Sequence, residues 1–173
     1  MSEGFQIQLR PWQESDIPDL MRLRNDVALQ AKLLARARGS DVQQVRKWLQ
    51  ERSTGIDRAF FVIAGLVDGA PLGYLQFAGM DPIDRNAELG ICLAPEAQGQ
   101  GIGGAALKLA IACLRETLAM RKLSLRVQAD NAPAIRCYLG AGFTQCGMLR
   151  DHVFIEGAWR DVLLMELFLA PGD

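Results

Sequence analysis

The sequence holds a single histidine, His152, four cysteines without a C-x-x-C pair, no excess of either charge and no long apolar run. Each shortage removes a class of function. One histidine and the scattered Cys92, Cys113, Cys137 and Cys146 give no set with metal-ligand spacing, so no metal is expected and the thiols read as reduced core groups. Lysine and arginine number 19 against 20 aspartates and glutamates, which leaves no surplus to neutralise a polyanion. Neither nucleic acid nor a membrane surface is therefore an expected partner. No stretch approaches the roughly 20 apolar residues of a membrane span, and Met1 to Arg10 lacks the basic region and apolar run of a signal peptide. The expected location is the cytoplasm. Repeats, low-complexity tracts and linkers are also missing, and a chain of 173 residues can bury one sizeable core. Residues 1–173 are expected to form one domain.

What is present is a regular alternation of short patterns. Phe5 to Leu9 alternates apolar and polar as a strand with one buried face does, and Pro11 ends it. Ser15 or Asp16 is placed to cap a helix with Ile17, Leu20, Met21 and Leu23 on its inner side and Pro18 in its first turn. After a basic stretch with Lys32, Arg36 and Arg38, Asp41 opens a second helix carrying Val42, Val45, Trp48 and Leu49. Ala59 to Val67 and Leu72 to Ala78 flank an Asp68-Gly69 turn and predict a hairpin. There follow a strand over 87–93, a helix over 101–120, a strand over 122–127, a helix over 131–140, and strands over 143–149 and 161–169 with a turn at Glu156-Gly157. This order predicts an α/β or α+β fold: a mixed, mostly antiparallel sheet of about seven strands with about four helices on both faces.

The junction from Leu89 to Gly104 runs from an apolar strand through a glycine-rich loop into a helix. Such a loop aims successive amides at one point, and the helix start adds partial positive charge. It suits a phosphate. A triphosphate-binding loop needs a lysine after its last glycine, and Gly103-Gly104-Ala105 has none. Gly99, Gly101 and Gly104 formally match the dinucleotide fingerprint, but Ala94 to Gln98 separate them from the strand, which that fingerprint does not allow. Gln98, Gly101 and Gly103 match the pyrophosphate motif of the GNAT acetyltransferases. Downstream, Asn131, Ala132, Ala134, Tyr138 and Gly142-Phe143 resemble that superfamily's second signature, and their local reading is a short helix capped by Asn131 with Pro133 in its first turn.

The resemblance covers Phe5 to Leu169 and implies a GNAT fold and an N-acetyltransferase with acetyl-CoA as cosubstrate. It implies that Gln98, Gly99, Gln100, Gly101, Gly103 and Gly104 hold the pyrophosphate. The strand edge at Ile91 and Leu93 would pair with pantetheine, and Asn131 would bond its arm. Tyr138 would protonate the departing thiolate, its plainer alternative being an amphipathic core tyrosine. Glu88, one carboxylate in an apolar strand, is the candidate base, with burial expected to raise its pKa; the alternative is a solvated strand-end carboxylate. His152 either faces substrate or is a surface residue.

The acceptor is an amine-bearing substrate. The segment Arg150 to Val162 resembles a branch holding ribosomal-protein N-terminal, spermidine and aminosugar acetyltransferases, and a protein or peptide N-terminus is the acceptor favoured by that analogy. A polyamine would call for a carboxylate-rich pocket, for which Asp81, Asp84 and Glu88 are the candidates. Lys32, Arg36 and Arg38 either greet an anionic substrate or form a solvated face. A non-catalytic acyl-CoA sensor is the competing class, and an exposed sheet edge makes a homodimer the expected assembly.

Overall fold

The computed structural model describes residues 6–169. Its strands are β1 (Ile7–Arg10), β2 (Ala59–Gly65), β3 (Pro71–Asp81), β4 (Asn86–Leu93), β5 (Lys122–Gln128), β6 (Thr144–Ile155) and β7 (Ala158–Phe168). They form one seven-stranded sheet in the order β1-β2-β3-β4-β5-β7-β6. Every neighbouring pair is antiparallel except β4 and β5, the pair joined through a helix. Phe5, where the first strand was expected to begin, lies outside the described residues.

The helices are α1 (Ile17–Asn25), α2 (Val27–Lys32), α3 (Val42–Ser53), α4 (Ile102–Ala112) and α5 (Ala132–Gly140). Alternation along the strands decides which face each one covers. Phe60 of β2 and Tyr74 of β3 share a face, and Trp48 of α3 meets both rings edge-on at 5.3 Å. Leu93 of β4 belongs to the other face and lies beside Gly103 of α4, which in turn abuts Cys137 of α5. Helices thus cover both faces, with α1 and α3 on one and α4 and α5 on the other. The core runs continuously between them through Leu20, Leu49, Ile63, Phe77, Leu107, Leu123 and Met165.

Several local expectations need correction. Asp16 does not cap α1 from solvent. It is buried, accepts the Gln13 amide at 2.8 Å across a short 3-10 turn (Glu14–Asp16), and takes both terminal nitrogens of Arg10 at 2.8 Å. The basic stretch begins as a helix, α2, capped by Asp26 through the Leu29 amide. The helix expected over 101–120 is α-helical only to Ala112 and continues as a π turn to Thr117. The strand expected to stop at Leu149 continues to Ile155 through a bulge, where Asp151 has φ 46° and its amide donates to Asp161. His152 therefore lies exposed in that bulged strand, not in a loop. Asp41 caps α3 with a reciprocal bond to Gln44, and Glu156-Gly157 turns the β6–β7 hairpin with both residues at positive φ, as the sequence implied.

Candidate active site

The parallel pair β4 and β5 stays together for only three residue pairs, Asn86 with Lys122, Ala87 with Leu123 and Glu88 with Ser124. Beyond that point β4 remains paired with β3 as far as Leu93, and β5 with β7 as far as Gln128. The two strands diverge into a V that opens toward their carboxyl ends, the position where α/β sheets bind ligands. Ala94 donates its amide to Leu72, so Cys92 and Gly90, in register with it, turn their backbone groups toward β3. The backbone groups of Ile91 and Leu93 point the other way, into the gap. An extended ligand laid there would be received like a missing strand.

The glycine loop closes the mouth of the V. Gly99 and Gly101 have φ of 73° and 80°, a region closed to most side chains, and Gly101 is the N-cap of α4. Gln98 folds back to donate its side-chain amide to the Leu93 carbonyl at 3.1 Å, tying loop to strand. Gln100 does the same toward Glu96 at 2.6 Å. A β-carbon on Gly103 would stand 3.2 Å from the Cys137 sulfur and 3.4 Å from Leu93, so this glycine lets α4, α5 and β4 converge. Gly104 faces open space. Amides at the α4 start, an open floor at Gly104 and no opposing carboxylate at the loop's own glycines fit a pyrophosphate.

On α5, Asn131 caps the helix by accepting the Ala134 amide at 3.4 Å. Tyr138 is buried with its ring edge-on to Phe143 at 5.8 Å. Burial pushes its phenol well above the ordinary tyrosine value, with a smaller contribution from Cys137, so it stays protonated through the physiological range.

Glu88 is not in the buried setting expected of it. Its side chain is 47% exposed and pairs with Arg126 at 3.4 Å. By strand alternation it shares the α1 and α3 face with Gln76 and Gly90, whereas Tyr138 belongs to the α4 and α5 side. A group held in the gap can therefore be approached by a base from one face and an acid from the other. Gln76 and Arg126 beside Glu88 were missed from sequence, although Gln76 is a lone polar residue between apolar neighbours and Arg126 belongs to the polar alternation of β5.

The carboxylates proposed for a polyamine pocket do not converge. Asp81 accepts the amides of Ile83 and Asp84 within the β3–β4 turn, away from the Glu88 and Arg126 pair. A different acidic group does assemble: Asp130, Asp151 and Asp161 line a cleft of about 400 Å³ with Ala129, Trp159 and Arg160, at the end of β5 next to Asn131. Of the basic stretch, Arg36 reaches the Phe154 carbonyl and ties the segment after α2 to β6.

A sheet split along the parallel pair β4 and β5, with an amide-rich loop at the split, defines a transferase that takes its acyl group from a coenzyme A thioester. The chain belongs to the acetyltransferase (GNAT) domain family, whose model matches residues 6–144. It is similar over 168 residues to the spermidine N(1)-acetyltransferase of Escherichia coli (strain K12), at 27% identity across 97% of this chain and 89% of that one. The ribosomal-protein-serine acetyltransferase of the same organism is 30% identical over 93 residues, 54% of this chain and 52% of that protein. In fold it resembles the spermidine N-acetyltransferase from Vibrio cholerae solved in complex with CoA and spermine, with a TM-score of 0.88 and 23% identity over 95% of this chain and 96% of that one. The protein is an acetyl-CoA-dependent N-acetyltransferase.

Proposed function

We propose that the protein, acting as one domain over residues 1–173, acetylates a primary amine by direct attack on acetyl-CoA held in the V. The observation that carries this reading is the divergence of β4 and β5 after Glu88 and Ser124, which leaves the Ile91 backbone and the Leu93 amide facing the gap, where pantetheine would pair with them. The Gln98 to Gly104 loop holds the pyrophosphate, and Asn131 steadies the arm. The neutral amine nitrogen bonds to the thioester carbon while a water held by Glu88 takes its proton. The carbon–sulfur bond breaks, and the sulfur leaves with a proton from Tyr138. The products are an N-acetyl amide and CoA thiol, and the two side chains exchange protons with solvent to reset. Amides of the β4 edge near Leu93 steady the oxyanion.

The acceptor class favoured here is a polyamine. The carboxylates of Asp151 and Asp161 beside Asn131, with Asp130 already paired to Arg160 at 3.6 Å, leave the cleft an acidic balance that suits a polycation, and the relatives matching nearly the whole chain are spermidine acetyltransferases. The amino terminus of a protein is the second acceptor, supported by a relative that matches over about half of the chain. The four free cysteines fit the reducing cytoplasm. A dodecameric form of the Vibrio cholerae enzyme supports self-association for this chain as well.

Release of CoA thiol from acetyl-CoA tests the reading, with spermidine, a seryl peptide, an aminosugar and amino acids as acceptors. Release that depends on spermidine, and weakens when Asp151 and Asp161 are changed to Asn, is the expected result. Binding of acetyl-CoA without release by any amine would favour a sensor instead.

A further inference from the structure

Gln76 sits in the middle of β3, on the face shared by Tyr74, Gly90 and Glu88. Its register partner is Gly90, and Glu88 is the next residue of β4 on that same face. Gly90 is the first residue on this face after β4 has parted from β5. With no side chain at Gly90, the Gln76 amide lies over that position, and the Glu88 carboxylate is carried by the next residue on the same face. Where a β-carbon on Gly90 would stand, Gln76 Nε2 and Cγ lie 3.1 and 3.2 Å away. The Gln76 side-chain oxygen is buried and has no hydrogen-bond donor. Buried carbonyls in folded proteins almost always have one, and this orphaned oxygen, like the orphaned nitrogens Arg24 Nε and Arg160 Nε, calls for a partner.

We infer that Gln76 receives the acceptor amine, its Oε1 accepting one N–H while the other N–H faces the water on Glu88. The nitrogen lone pair is then left to point at the thioester in the V. As the nitrogen attacks it gains positive charge, and the negative end of a fixed amide dipole stabilises that charge without reorganising. Gly90 gives the Gln76 amide room to lie against the sheet. The inference rests on the proposed transfer reaction and names the residue that holds its second substrate.

The test measures kcat/KM for the acceptor and for acetyl-CoA in Gln76→Leu and Gly90→Ala, together with the melting temperature with and without CoA. The acceptor is spermidine, or the seryl peptide should the wild type turn over only that. Gln76→Leu is expected to lower kcat/KM for the amine roughly tenfold, what a hydrogen bond of about 1.4 kcal/mol is worth. The CoA-induced stabilisation should stay as in the wild type, and the melting temperature should hold or rise, because an unpaired buried carbonyl has been removed. Gly90→Ala, which crowds the amide without altering it, should lower the same parameter. Wild-type amine kinetics in both variants would overturn the inference and give that oxygen to a trapped water. So would a fall in melting temperature with unchanged amine kinetics, the mark of a purely structural glutamine. A wild type that binds acetyl-CoA but acetylates no amine would defeat the transfer reading itself, a separate and recognisable failure.

Discussion

Tyr138 is protonated at neutral pH, burial raising its phenol further above the ordinary value, and its ring is fixed against Phe143; in the proposed reaction it protonates the departing thiolate. Tyr138→Phe retains the ring and should lower kcat by about 10² or more while leaving the KM for acetyl-CoA close to the wild type, read by thiol release. The cysteines give a second prediction at this scale. Burial raises the Cys92 thiol from 9.0 to about 12, while Cys146 is exposed. At pH 8 a thiol reagent should label Cys146 promptly and Cys92 only after unfolding; prompt labelling of Cys92 in the native protein would show that its strand opens freely. Asp16 offers a third. Its pair with Arg10 is closed from solvent, with side chains 3% and 14% exposed, so Asp16→Ala should cost about 3–5 kcal/mol in a denaturant titration by leaving the guanidinium unpaired.

At the scale of elements, what could be read in the sequence was what local periodicity and capping control. The apolar runs of β2 to β4, the Asp41 cap, the Asn131 helix and the Glu156-Gly157 turn depend on neighbours in sequence, and they stand in the structure. The elements misread are those whose cause is distant. Helix α2 is short, and the Arg36 contact that holds the segment after it comes from β6. The polar run Arg150-Asp151-His152 reads as a loop, yet it is a strand bulge because Asp161 across the ladder supplies an acceptor for the Asp151 amide. For the candidate site, the loop and Asn131 were visible as motifs, whereas the exposure of Glu88 and its pairing with Arg126 required knowing which strand lies beside β4. The same logic gives a test of the junction. Gly101→Ala forces a side chain into left-handed backbone and should cost about 1 kcal/mol of stability, with a higher KM for acetyl-CoA because the loop amides are re-aimed.

For the whole molecule, the titrating groups set an alkaline limit. Cys92, Tyr74 and Tyr138 all have folded values raised by burial. The stability they represent is complete below their unfolded values, about 8.5 for a thiol and 10 for a phenol, and is lost as the pH climbs toward the folded ones. The melting temperature should therefore decline steadily above about pH 9, with Cys92→Ala moderating the first part of the fall. The divergence of β4 and β5 also follows the order of the chain. Residues of β1 to β4 all precede Ala94, those of β5 to β7 all follow Arg121, and three ladder pairs join the two groups across the sheet. In the binding mode proposed above, the coenzyme would lie along a suture between an amino-terminal and a carboxyl-terminal half, and its binding should draw them together. A chain cut in the turn at Ala119 would be a natural split reporter, its two pieces reassembling more tightly as the thioester concentration rises.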